Sequence, residues 1–340
     1  MKTVMILFAV LACTMAEENM VNLAAKDPKV LQALFKNFQH SEDRHYANAQ
    51  EARLRLKNFR KFVGKMAAAN DEPDGVDYGV TFFADLTEAE SQQYYGFANK
   101  TQVDAGEEEE VEAPAPEEPA GLTWGSSANH RGRYNNAKHQ GGCGSCWAFT
   151  TVGMLEGWSQ IKTGRKYHLS EQQVLDCSGR SNDCGGGWYY EALGYIKNNR
   201  HLAASNDYRY QTRKGSCRRT SYRNSLPFTI TGVYKARGDA DMAARLNSGP
   251  LGVAMDFRNI KIRGYWSGIW TNTNCRQWPN HAITLVGYAS NYWDIRNSWG
   301  TGWGDHGYFK ITRSVQNVCM IASNPYFITT SGSSGEEKEE

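Results

Sequence analysis

Seven cysteines lie between Cys143 and Cys319, an odd number, in a chain whose first residues read as an export signal. Lys2, the apolar run from Val4 to Ala12 and the small Ala16 before two glutamates predict a secretory signal peptide, residues 1–16, cut near Ala16. Cys13 leaves with it. A chain that crosses an oxidising compartment pairs its thiols, so one cysteine is left to be explained, as an accident or as a nucleophile. No later stretch reaches the ~18 apolar residues of a membrane span, so a soluble product without a membrane partner is expected.

The charge is divided along the chain. Residues 1–120 carry 12 Lys/Arg against 21 Asp/Glu, and the rest carries 26 against 15. Such asymmetry marks either a nucleic-acid binder with an acidic arm or two segments that bind each other, and composition does not choose. The basic residues of the second part are dispersed except Arg213, Lys214, Arg218 and Arg219, and no nucleic-acid motif accompanies them, so no nucleic-acid partner is expected.

Residues 17–100 are rich in helix formers, with Glu51, Arg55, Phe59, Phe62 and Met66 on one face of a predicted helix over 51–70, a face that Leu54 and Leu56 widen. Tyr78 to Thr87 reads as a strand or extended segment, and Asn99-Lys100-Thr101 is an N-glycosylation acceptor. Residues 104–120, DAGEEEEVEAPAPEEPA, are a linker by composition and a site for proteolytic cutting. Residues 329–340 read as a disordered acidic tail. Between them, 121–328 begins with helices, from Cys146 to about Lys162, from Ser170 (a capping box with Gln173) and over Trp188–Asn198. Strands follow in LPFTITGVY, LGVAMD, HAITLVGY, YWDIRN and GYFKIT. Helices followed by strands predict an α+β, two-lobed protein.

Three fragments carry the chemistry. In QGGCGSCWAF (140–149), Cys146 follows a Gly-rich turn and opens a helix, whose unpaired amides favour a thiolate. A buried structural cysteine is the common alternative. His281 opens the strand HAITLVGY and is the imidazole a thiolate nucleophile needs to hold charge and to protonate a leaving amine. His306, in Gly-Asp-His-Gly, reads as a surface turn instead. In YWDIRNSWGTGWG (292–304), Asn297 has an amide that can orient an imidazole, and Trp299 beside it can exclude water.

Together these motifs resemble the papain-like cysteine proteases, whose signature C-G-[SA]-C-[WY] is followed by His and Asn roughly 130–150 residues downstream. Here the separations from Cys146 are 135 and 151 residues. The resemblance implies a papain-like fold, a helical left lobe and an antiparallel β-barrel right lobe behind a mostly helical propeptide. It implies a cysteine endopeptidase with Cys146 as nucleophile, His281 and Asn297 as partners, and Gln140 in the oxyanion hole. It also implies the bridges Cys143–Cys184, Cys177–Cys217 and Cys275–Cys319, leaving Cys146 free. Gly187 matches the family's contact to substrate backbone, with Gly186 beside it. Trp188, Tyr189, Ala254, Ala282 and Asn324 match its S2 pocket, uncharged at the bottom, which implies a bulky apolar P2 residue. Asn280 and Trp299 join these as implied substrate-binding residues, Asn280 standing where papain itself has Asp.

Glu51-x3-Arg55-x3-Phe59-x2-Phe62-x3-Met66-x3-Asn70 resembles the ERFNIN helix of cathepsin L-like propeptides, departing at Phe62 and Met66. Gly79-x-Thr81-x-Phe83-x-Asp85 resembles the companion GNFD motif, with Thr81 in place of Asn. The implied partners are protein and peptide substrates, the chain's own propeptide and cystatin-like inhibitors, with no metal or organic cofactor, on a monomer in a lysosome or outside the cell. From the charge division we expect acid-triggered release and self-cleavage within 104–120. A catalytically silent, papain-like binding protein is the alternative of a different class.

Overall fold

The structure, a computed structural model, describes residues 17–97, 128–179, 183–218, 222–275 and 278–331. The expected signal segment, Asn99 and the 104–120 linker lie outside them.

Three helices open the chain: α1 (Glu17–Lys26), α2 (Pro28–Ser41) and α3 (Ala49–Asn70). Asp27 caps α2 ahead of Pro28, whose fixed φ and missing N–H suit the first helical position. The Asn48 side chain caps α3 by accepting from the amides of Gln50 and Glu51. Phe59, Phe62 and Met66 of the predicted α3 face are buried and Val63 joins them, whereas Leu54, expected to widen that face, is exposed. Strand β1 (Val76–Tyr78) and helix α4 (Glu88–Gln92) follow, α4 with a capping box of Thr87 and Glu90. Only the first residue of the expected 78–87 strand is a strand; Phe82 to Asp85 form turns.

The next lobe is helical. After the two-residue strand β2 (Ala128–Asn129), α5 (Cys146–Thr163) is buried without a break from Cys146 to Ser159 and stops at Gly164, which takes the left-handed φ of 71°. Helices α6 (Glu171–Cys177) and α7 (Tyr189–Asn199) pack beside it. Ser170 caps α6, yet the expected capping box is absent. Gln173 turns away from the helix, its Oε1 accepting from the Ala203 amide and its Nε2 donating to the His201 carbonyl, because the 201–204 loop needs those partners.

The remaining elements are β3 (Ile230–Lys235), α8 (Gly238–Leu246), β4 (Leu251–Met255), α9 (Ile260–Arg263), β5 (Tyr265–Trp270), β6 (His281–Tyr288), β7 (Tyr292–Arg296), β8 (Tyr308–Thr312) and β9 (Tyr326–Thr330). Their order in the sheet is β1-β5-β8-β7-β6-β4-β9-β3, antiparallel except for β5 and β8, with β2 pairing β6. The expected tail begins too early: β9 runs to Thr330, because it pairs with β3 as far as Ile230.

Two cores result. One joins α5, α6 and α7 to the faces of β4, β6 and β9 that carry Ala254, Ala282 and Tyr326. The other joins the leading helices to the sheet, so that Phe59 and Met66 share one apolar cluster with Trp299, Trp303 and Phe309. Thus β1 extends the sheet by pairing with β5, Gly79 donates to the Gly264 carbonyl at 2.8 Å, and the Thr81 hydroxyl donates to the Arg263 carbonyl at 2.6 Å.

Phe59 is fully buried between Phe35 and Phe38, with ring centroids 5.0 and 5.1 Å away. Phe59→Ala should cost about 3–5 kcal/mol through lost burial and the cavity left behind. Denaturant unfolding of the whole chain checks this, and a loss under about 1 kcal/mol would mean that the leading helices are not packed as described.

Candidate active site

Cys146 stands at the first position of α5, where the Gly-rich turn 141–144 ends, and its Sγ lies 3.4 Å from the Ala282 amide. His281 starts β6, and Asn297 follows β7. Pairing of Thr284 with Arg296 across these strands brings the imidazole and the amide together, with His281 Nε2 2.8 Å from Asn297 Oδ1. Asn297 Oδ1 also accepts from the Ser298 amide at 2.8 Å, which identifies it as an acceptor. His281 Nε2 therefore donates, and the neutral ring keeps the lone pair on Nδ1 to take up a proton. Trp299 is fully buried with its ring 4.8 Å from the imidazole, which keeps water from this hydrogen bond.

Gln140 is set by a residue that sequence reasoning missed. The Ser298 hydroxyl donates to Gln140 Oε1 at 2.7 Å, which turns Nε2 toward the carbonyls of Cys143, at 2.9 Å, and Tyr94, at 3.0 Å. Tyr94 belongs to the leading segment, whose residues 94–97 run through the groove between the lobes. There Gly187 donates to the Gly96 carbonyl at 2.9 Å and Phe97 donates to the Asn280 carbonyl at 3.1 Å. The Asn280 side chain faces inward, accepting from the Phe257 amide at 2.7 Å. The Gly186 amide bonds back to the Asp183 carbonyl instead.

The Phe97 ring meets Trp188 edge-on at 4.6 Å and stacks on Tyr189 at 5.8 Å, within a buried cluster that includes Ala254 and Ala282. The Tyr189 hydroxyl donates to the Asn324 carbonyl. Tyr95 stands edge-on to both His281, at 5.9 Å, and Trp299, at 5.8 Å. The run YYGF was therefore a signal of its own: three aromatics around one glycine.

The three disulfides are Cys143–Cys184, Cys177–Cys217 and Cys275–Cys319, the pairs that the resemblance implies, and Cys146 is the free cysteine among the described residues. The Cys143–Cys184 bridge and the bond from the Gly144 amide to the Cys184 carbonyl, 2.9 Å, hold the turn before Cys146 against the loop that carries Gly187.

Covering the site changes its electrostatics. Burial pushes the Cys146 thiol up to about 11, against backbone N–H groups of Ala282 and Gly96 that favour the thiolate. Burial likewise pushes the His281 imidazole down to about 4, although Asn297 favours its charged form. With residues 94–97 in place, thiol and imidazole are both neutral near pH 7. Burial is the first cause of both shifts, so exposure to water would ease both.

The chain is similar to proteins already known. A sequence model described as papain family cysteine protease matches residues 122–329. Cysteine proteinase 3 of Entamoeba histolytica is 34% identical over 87% of this chain and 93% of its own. Digestive cysteine proteinase 1 of Homarus americanus is 32% identical over 90% and 96%. Among solved structures, digestive procathepsin L 3 of Tenebrio molitor larval midgut aligns with a TM-score of 0.74 and 28% identity over 88% of this chain and 99% of that one. A recombinant stem bromelain precursor aligns at 0.76 and 29% over 89% and 99%.

A Cβ on Gly96 would lie 1.8 Å from the Gly144 carbonyl oxygen, a backbone atom that cannot step aside. Gly96→Ala should expel the segment and raise the rate at which iodoacetamide alkylates Cys146 in the uncut chain by at least about ten-fold at neutral pH. An unchanged rate would show that residues 94–97 are not what shields the thiol.

Proposed function

The chain belongs to the papain family of cysteine proteases, and we propose that it is an endopeptidase made as an inactive precursor. In this reading residues 121–328 are the peptidase domain and 17–103 its inhibitory propeptide, cut away within 104–120. The three disulfides support a route through the secretory pathway, to a lysosome or to the outside.

The observation that carries the reading is the peptide carbonyl of Tyr94 held at 3.0 Å by Gln140 Nε2, in a groove where Gly187 and Asn280 bind backbone and Trp188 and Tyr189 take an aromatic side chain. A substrate carbonyl bound to that amide leads to the following steps. The Cys146 thiolate attacks the carbonyl carbon, and the developing oxyanion is held by Gln140 Nε2 and the Cys146 N–H. The His281 imidazolium, oriented by Asn297, gives its proton to the leaving amine as the C–N bond breaks. Water, deprotonated by His281, then hydrolyses the thioester and restores the thiol. The seat of Phe97 supports a preference for a bulky apolar P2 residue.

Activation by acid is part of the proposal, in a more restricted form than the overall charge suggests. Among the described residues two ion pairs join the leading segment to the peptidase lobes, Glu72–Lys261 and Glu88–Arg263. The Arg263 guanidinium holds Glu88 at about 2, with help from Gln92 and Lys65 against partial burial. Its folded value is depressed, so the docking it contributes is complete above the ordinary value of 4.5 and is lost as pH falls through about 2. Glu88 thus still restrains the segment at mildly acid pH, while carboxylates with ordinary values are already titrating. Glu88→Gln should shift self-processing toward neutral pH, read as loss of precursor on a gel across a pH series. An unchanged pH profile would remove Glu88 from the account.

The function itself is tested by incubating the purified chain at about pH 4.5, within the carboxylate range. A peptide with Phe or Leu beside the scissile residue pair, a thiol-directed irreversible inhibitor and a Cys146→Ala variant are used. Cleavage that needs Cys146, with one label per molecule, is expected. Propeptide removal without turnover or labelling would favour the silent binding protein.

A further inference from the structure

The basic run that the fold has not yet explained extends from Asp207 to Arg223, with six basic residues and one acidic. Its part from Asp207 to Arg218 is anchored as a platform. The Cys177–Cys217 bridge ties it to α6, where the Asp176 carboxylate accepts from the Gly215 amide at 2.6 Å and from the Tyr208 hydroxyl at 2.7 Å. Gln172 clamps the middle, its Oε1 accepting from the Gln211 amide and its Nε2 donating to the Arg213 carbonyl at 2.8 Å.

The platform abuts the active-site groove. The Tyr210 hydroxyl donates to the Gln140 carbonyl at 2.7 Å, and a Cβ on Gly141 would lie 2.6 Å from Thr212 Cγ2. Lys214 Nζ pairs with Asp183 at 2.5 Å, and Asp183 opens the stretch that ends at Gly187, the residue that grips the Gly96 carbonyl. Arg209, Arg213, Lys214 and Arg218 are all exposed, Arg218 lying over the Tyr208 ring at 4.9 Å. Asp183 and the exposed Asp207 offset two of these four charges, which leaves two cations in excess along one rim.

We propose that this rim selects substrates with an acidic side chain next to the apolar residue that enters the Trp188/Tyr189 pocket. The inference rests on the peptidase reading and names the substrate class of that same groove. A carboxylate bound there lies among charges that water and salt screen only over about 10 Å at 0.1 M ionic strength. The chain itself contains such a sequence: residues 104–120 carry eight acidic residues and no basic one. The surface that favours acidic peptides therefore also favours the expected self-cleavage.

The test uses enzyme processed from the full chain and three peptides that differ only in Glu, Gln or Lys beside the apolar anchor. The kcat/KM values should fall in the order Glu, Gln, Lys, spanning about ten-fold at low salt, with the difference mainly in KM. The span should collapse at about 1 M salt, where screening acts over ~3 Å, and in the R213Q/K214Q double variant. Each ratio is taken within one preparation, so it does not depend on the fraction of folded enzyme. Equal values for the three peptides, or a preference for Glu that survives both substitutions, overturn the inference while leaving the peptidase reading intact. No cleavage of any peptide, with no thiol labelling, overturns the peptidase reading and the inference with it.

Discussion

Four residues, Tyr94 to Phe97, take the Cys146–His281 pair out of water, and the rest of the structure is arranged around that desolvation. A thiol and an imidazole exchange their proton only where the resulting charges are tolerated. Under the segment they are not, and both groups stay neutral. The groove holds these residues mainly by their backbone, through Gly187, Asn280 and Gln140. In the proposed function a substrate takes the same partners.

So short a segment is held from a distance. Strand β1 pairs with β5, the Arg263 guanidinium grips Glu88 by two oxygens at 2.8 and 2.6 Å, and Phe83 and Tyr95 pack against Trp299. Behind them Arg55 of α3 makes a matching two-pronged contact with Glu90 of α4, both bonds 2.7 Å, which fixes the approach of residues 94–97. Asn70 bonds both the amide and the carbonyl of Tyr78, so the end of α3 holds the end of β1. Apolar contact and backbone pairing outnumber ionic contact here. The division of charge along the sequence is real, yet eight of its acidic residues belong to 104–120, outside the described residues.

Much of this was legible in the sequence, for physical reasons that differ by element. The α3 face could be read because a half-buried helix must repeat its apolar residues three and four apart. Helix α5 and strand β6 could be placed because glycines bound the first and an apolar run defines the second. Strand β5 escaped notice: YWSGIW is only partly buried in its middle and is a strand because β1 and β8 pair with it. Gln173 misled because a capping partner can be claimed by another loop. Within the site, Cys146, His281 and Asn297 stood out by residue type and spacing. Ser298, Tyr94 and Tyr95 did not, because what matters in them is a hydroxyl direction, a backbone carbonyl and a ring edge, which only three-dimensional proximity defines.

The central claim is that covering the groove, rather than distorting it, silences the thiol. The direct test is the pH dependence of Cys146 alkylation by iodoacetamide, measured on the uncut chain and on the processed enzyme. The account predicts a rate in the uncut chain that rises only toward pH 11, the value to which burial pushes the thiol. In the processed enzyme it predicts a thiolate beside an imidazolium that is already reactive in the mildly acid range. Identical profiles before and after processing would contradict it.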